Sequence, residues 1–99
     1  MHIEILDDAK SDLYEGAIFY ESQSYRLGDY FLDSIVSDIE SLYIYAGIHS
    51  AVFGYYALRA KRFPYTIYYK VVDKTIKVYA VLDDRMEPKK TEKRLKEEK

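Results

Sequence analysis

The chain has 99 residues, 48% of them hydrophobic and 32% charged, with no cysteine and no tryptophan, a composition that fits one small globular domain and leaves no room for a second. Lacking cysteine it has no disulfide framework, thiolate metal site or thiol nucleophile, and two histidines do not make the usual catalytic metal set, so no metal and no small-molecule cofactor are expected. No stretch approaches the ~20 apolar residues of a membrane span and the first twelve residues are acidic, which argues for a cytoplasmic protein with no membrane partner.

His2-Ile3-Glu4-Ile5-Leu6 alternates and is β-branched, which predicts a short strand. Asp8 is the expected cap of a following helix, whose first turn gathers Asp7, Asp8 and Asp12 where the helix dipole favours negative charge. Leu13, Ala17 and Tyr20 recur at helical spacing, so this helix should run to about Ser24. Gly28 marks a turn region. A second helix then carries Phe31, Ile35, Ile39 and Leu42 as one apolar stripe and ends before Gly47.

Beyond Gly47 the hydrophobic period changes from 3.6 to 2. Tyr56, Leu58 and Ala60 alternate with Tyr55, Ala57, Arg59 and Lys61, until Phe63-Pro64 interrupts, because proline donates no ladder hydrogen bond. Tyr65, Ile67, Tyr69 and Val71 share one face of the next strand, Asp73-Lys74 is the expected hairpin turn, and Thr75 to Leu82 should place Ile76, Val78, Ala80 and Leu82 on a single face. The expected architecture is α+β, in the order β-α-α-β-β-β, with a helical hairpin packed on a curved antiparallel sheet. Residues 85–99 hold seven basic and four acidic residues and little to bury, so this tail reads as a frayed helix or a disordered segment. Pairs Lys93/Glu97 and Arg94/Glu98 have the spacing that supports a helix.

Charge is divided along the chain. Residues 1–40 carry two basic against ten acidic residues, and residues 41–99 carry thirteen against seven, so the net −2 hides an acidic half and a basic half. Arg59, Lys61, Arg62 and Arg85 are the candidate contacts for a phosphate or an acidic partner, and Arg59 and Arg85 are the catalytic candidates if the chain is an enzyme. The competing reading of the same residues is a solvated strand face kept soluble by charge. Tyrosines 55, 56, 65, 68, 69 and 79 have the residue type to stack on bases, but strand preference assigns them to core and sheet faces. His49 falls in a loop with no ligand spacing to His2; Asp83 and Asp84 flank Arg85 and read as ion-pair or turn residues.

The stretch Leu58-Arg59-x-Lys61-Arg62-Phe63-Pro64-Tyr65-Thr66-Ile67-Tyr68-Tyr69, then Ile76-x-Val78-x-Ala80-Val81-Leu82-x-x-Arg85-x-x-Pro88, resembles the RelE/ParE toxin superfamily. Phe19-Tyr20-Glu21-x-Gln23 and Leu27-Gly28-x-x-Phe31 extend the likeness to residues 2 to about 88, leaving 89–99 as a charged tail. The resemblance implies the toxin of a type II toxin–antitoxin (plasmid stabilisation) module, neutralised by a cognate antitoxin. Its ribosome-dependent mRNA endonucleases share five positions, which here read Ala57, Arg59, Thr66, Arg85 and about Thr91, so only two keep the pattern. Phe63-Pro64-Tyr65 and Ala80-Val81-Leu82 are closer to the ParE-like branch, which implies binding to DNA gyrase as the mode of growth inhibition. Asp83 and Met86 stand where such chains often carry a histidine and a second arginine, so this chain presents less basic charge there. The alternatives are a ribosome and mRNA target, or a non-toxic relative kept as a partner-binding module.

Overall fold

The computed structural model describes residues 1–97. Strand β1 (His2–Ile5) leads into α1 (Asp7–Glu21), α2 (Leu27–Glu40) and the single turn α3 (Leu42–Tyr45). Strands β2 (Ala51–Val52), β3 (Tyr55–Arg59), β4 (Tyr65–Val72) and β5 (Thr75–Asp83) follow, and α4 (Pro88–Glu97) closes the described chain. The expected α+β order is present, with β2 and α3 added.

Helix α1 starts two residues earlier than the sequence suggests, its cap at Leu6 instead of Asp8. Extended Leu6 occupies the cap with no side-chain cap bond, so Asp7 and Asp8 lie in the first turn and act on the dipole. The helix ends at Glu21 rather than Ser24, because the Ser22 hydroxyl bonds back to the Phe19 carbonyl and Arg26 turns into the left-handed region at φ 68°. The Glu21 carboxylate then accepts from the Arg26 and Gly28 amides at 2.9 and 3.0 Å, satisfying the first amides of α2 from the neighbouring helix. Gly28 therefore belongs to the helix and not to the turn. A Cβ there would stand 2.5 Å from the Ala17 carbonyl oxygen, so glycine is what lets α1 and α2 approach.

The stripe of Phe31, Ile35, Ile39 and Leu42 is buried to 2% exposure or less, against Tyr65, Ile67, Tyr69, Ile76 and Val78 of the sheet. The five strands are ordered β1-β5-β4-β3-β2. From β2 to β5 the sheet is antiparallel as expected, and β1 makes it mixed by joining β5 in parallel, His2 beside Thr75 and Ile5 beside Val78. Ile3 and Ile5 pack on the core from this edge while His2 and Glu4 stay exposed; nothing in four residues of alternating pattern specifies the partner or its direction. Strand β2 is joined to β3 through Phe53 and Gly54, both at positive φ (50° and 84°), the geometry of a tight two-residue hairpin. Asp73, at φ 56°, makes the expected turn between β4 and β5.

One expectation about β5 is overturned. Tyr68 pairs with Ala80 while Tyr69 pairs with Val78, so Tyr79 is an extra residue and the strand bulges there. The bulge exchanges the faces: Ile76, Val78 and Val81 meet the helical hairpin, whereas Ala80 and Leu82 join a second cluster with Tyr55, Tyr68 and Leu95 on the opposite side. That second cluster is why the basic tail is held as a helix. Leu95 of α4 is 1% exposed in it, and Tyr55 donates to the Leu95 carbonyl at 2.8 Å. Arg94 forms two 2.8 Å bonds to the buried Asp12 carboxylate, which also accepts from the Val81 amide at 2.9 Å. Lys96 pairs with Glu92; the Arg94/Glu98 pair lies outside the described residues.

Candidate functional site

The antiparallel register brings three strand ends together, since Arg59 at the end of β3 faces Thr66, and Tyr65 at the start of β4 faces Asp83 at the end of β5. The Asp84 amide donates to the Pro64 carbonyl at 2.7 Å, fixing the segment that carries Arg85. Here the two arginines singled out from the sequence meet acids. Arg85 donates Nε and Nη2 to the two oxygens of Asp83 at 2.9 and 2.7 Å, and its own amide to Oδ1 at 2.8 Å. The same Nη2 reaches the Tyr20 hydroxyl at 3.3 Å. Arg59 donates to Asp84 Oδ2 at 3.3 Å, while the Thr66 hydroxyl takes Asp84 Oδ1 at 2.6 Å.

The forked contact with Arg85 holds the Asp83 carboxyl below the usual carboxylate range, and the same contact pushes the Arg85 guanidinium further up. Asp83 therefore stays ionised near neutrality and cancels much of the positive field of Arg85. Lys61 and Arg62 lie in the β3–β4 connection, exposed, and neither side chain has an ion pair among the described residues. The Lys61 amide is anchored by Asp38 at 3.1 Å. Arg59 and Arg85 thus share one sheet end, each neutralised by its own aspartate, and the unpaired basic charge sits in the connection beside them.

A second feature had no signal in the sequence. The Tyr69 hydroxyl accepts from the Gly47 amide at 2.9 Å and contacts His49 Nδ1. The hydroxyl retains a proton that it can donate to Nδ1, in the tautomer that carries the His49 proton on Nε2. Burial lowers the His49 pKa further from the physiological range. His49 and Tyr69 are 20 residues apart and Tyr69 reads as plain core, which is why spacing did not pair them. His49 lines a shallow cleft of about 630 Å³ with Arg59, Thr66 and Tyr68. Of the six strand tyrosines, 55, 65, 68 and 69 are buried, and 56 and 79 are half-buried. Among the described residues no group of three or more His, Asp or Glu is arranged to hold a metal ion, and no helix is long and apolar enough to cross a membrane.

No protein-family model matches the sequence, and no curated protein matches it. Among solved structures, a chain of the chromosomal ParDE toxin–antitoxin system from P. aeruginosa is similar with a TM-score of 0.75, over 82% of this chain and 92% of that one. The two chains share a fold. At 22% sequence identity the likeness is one of architecture, and it agrees with the RelE/ParE-like arrangement expected from the motifs.

Proposed function

We propose that this chain is the toxin of a ParE-like type II toxin–antitoxin module, acting in the cytoplasm by binding and inhibiting DNA gyrase and neutralised by a cognate antitoxin. The observation that carries the reading is the fold shared with the ParDE chain. Residues 1–88 are the toxin domain in this reading, with α4 docked on it through Leu95 and Arg94. Binding is favoured over RNA cleavage by the state of the arginines. Attack by a 2′-hydroxyl needs a base, an acid and uncompensated positive charge at the phosphate. Arg59 and Arg85 are compensated by Asp84 and Asp83, whereas a protein contact needs only their remaining outward N–H groups and the exposed Lys61 and Arg62.

The test is growth of a bacterial culture after tightly controlled induction of the chain, beside an Arg85→Ala version, followed by plasmid supercoiling with purified gyrase. Arrest that depends on Arg85, together with lost supercoiling, supports the reading; full supercoiling at excess protein refutes the gyrase target. Co-purification with the product of a neighbouring reading frame tests the antitoxin. The cleft holding His49, Arg59 and Tyr68 favours a second reading, a ribosome-dependent mRNA endonuclease. A-site mRNA cuts in a translating extract, lost in His49→Ala, would establish it. The Asp83–Arg85 pair favours a third, a non-toxic partner-binding relative, and normal growth in both cultures would select that one.

A further inference from the structure

Between α1, the end of β5 and α4 lies a cleft of about 300 Å³ that none of the residues discussed for gyrase or RNA contact explains. Its floor contains the Tyr65 hydroxyl. Tyr65 is 7% exposed as a residue, yet its hydroxyl is not a sealed orphan, since among the described residues no buried side-chain oxygen or nitrogen lacks a hydrogen-bond partner. A tyrosine hydroxyl that meets solvent in an open cleft is available to a polar group that arrives from outside. Gly16 lines the cleft as well, where a Cβ would stand 2.6 Å from the Phe31 ring and 3.3 Å from the Tyr65 oxygen.

The charge around the cleft selects the visitor. Asp12 is occupied by Arg94 and Asp83 by Arg85, but Glu15, which also lines the cleft, has no ion pair among the described residues. Its carboxylate and those of Asp12 and Asp83 outnumber the arginines. The negative field is felt at the hydroxyl itself: burial, then Asp83 and Asp12, push the Tyr65 pKa up to about 12, so the group is a neutral phenol able to accept from a cation. Phe19, Leu82 and Met86 supply apolar walls, and Phe19 is 45% exposed at the mouth. Farther along the outside of α1, Tyr14 and Ile18 are also exposed. An alkyl stem ending in a cation, inserted from a surface rimmed by apolar side chains, is the pattern of an anchoring residue at a protein interface.

We propose that this cleft receives a lysine or arginine side chain of a protein partner, its cation meeting Glu15 and the Tyr65 hydroxyl and its stem lying against Phe19 and Met86. The chemistry of the cleft stands whether or not the chain arrests growth. The probe is the capped tripeptide acetyl-Leu-Arg-Leu-amide, titrated into the isotopically labelled full chain and followed by amide NMR, beside the same peptide with uncharged citrulline. The arginine peptide is expected to give saturable shifts at Gly16, Phe19 and Leu82, and the citrulline peptide to bind about tenfold more weakly, the loss of one charge-assisted contact. Tyr65→Phe removes only a hydroxyl that meets solvent, so it should fold as the parent does and still weaken the arginine peptide; Glu15→Gln, an exposed position, should do the same. Equal affinity for the two peptides, shifts confined to other surfaces, or indifference to both substitutions would overturn the proposal. Spermidine binding as tightly as the peptide would make this a polyamine site and overturn the assignment to a protein partner.

Discussion

Replacing Asp12 by alanine removes the acceptor of three hydrogen bonds at once, two from Arg94 and one from the buried Val81 amide. The Val81 amide left without an acceptor costs about 1–3 kcal/mol. Arg94, whose side chain is 26% exposed, keeps some access to water, which places the whole loss near the lower end of the ~3–5 kcal/mol seen when one member of a buried ion pair is removed. We expect about 3 kcal/mol, a large share of the ~5–15 kcal/mol that holds a domain of this size. Urea unfolding followed by circular dichroism reads it as a drop in midpoint at unchanged slope. The double variant Asp12→Ala with Arg94→Leu should fall short of the sum of the two single losses by more than about 1 kcal/mol, because the Asp12–Arg94 contact can be lost only once. A single-variant cost under about 1 kcal/mol, or a strictly additive double variant, refutes the claim that this pair ties α4 to the domain.

The two functional aspartates act on acid stability with opposite sign. Burial raises the Asp12 pKa above its unfolded value, so its titration adds stability at low pH that is lost as pH rises through the folded value; Arg85 lowers that of Asp83, so its contribution is full above the unfolded pKa and lost as pH falls through the folded one. Asp83→Asn should therefore cost stability at neutral pH and nothing in strong acid, and an equal cost across a series of pH-resolved melts would contradict this. Gly16→Ala would put a Cβ 2.6 Å from the Phe31 ring, and its Tm should fall by the equivalent of about 1–2 kcal/mol despite the better helix propensity of alanine; a rise in Tm overturns the close approach. Tyr69→Phe removes the hydroxyl that meets His49 Nδ1, and with that hydroxyl as donor the His49 ring should titrate at higher pH by NMR in the variant, with a stability cost of about 1 kcal/mol from the bereft Gly47 amide. An unmoved histidine titration would mean the hydroxyl does not donate to it.

Legibility in the sequence followed the range of the interaction. Phe31, Ile35, Ile39 and Leu42 were readable because helical periodicity is a local property, and Pro64 and Asp73 because turns are set by a few neighbouring dihedrals. The parallel pairing of β1 with β5 and the bulge at Tyr79 were not, since register is decided by partners more than 70 residues distant or by one inserted residue whose side chain suits either face. At the candidate site the sequence identified Arg59 and Arg85 but carried no sign that Asp84 and Asp83 would engage them separately. Asp12 with Arg94, and Tyr69 with His49, lie 82 and 20 residues apart, beyond any spacing rule. One unused local clue was Gly16, a glycine inside a helix, where such a residue costs stability unless something must come close, here the Phe31 ring.

Glu21 sits at the carboxyl end of α1, where a negative charge opposes the dipole of its own helix, yet its oxygens hold the opening amides of α2. Each helix alone is therefore the poorer: the first carries a charge in the wrong place, and the second begins on a left-handed arginine with no cap of its own. Closing the hairpin turns both defects into one favourable contact. A peptide spanning residues 7–40 should consequently be more helical than the average of its two separated halves, and the hairpin should form as a single cooperative unit rather than by docking two finished helices.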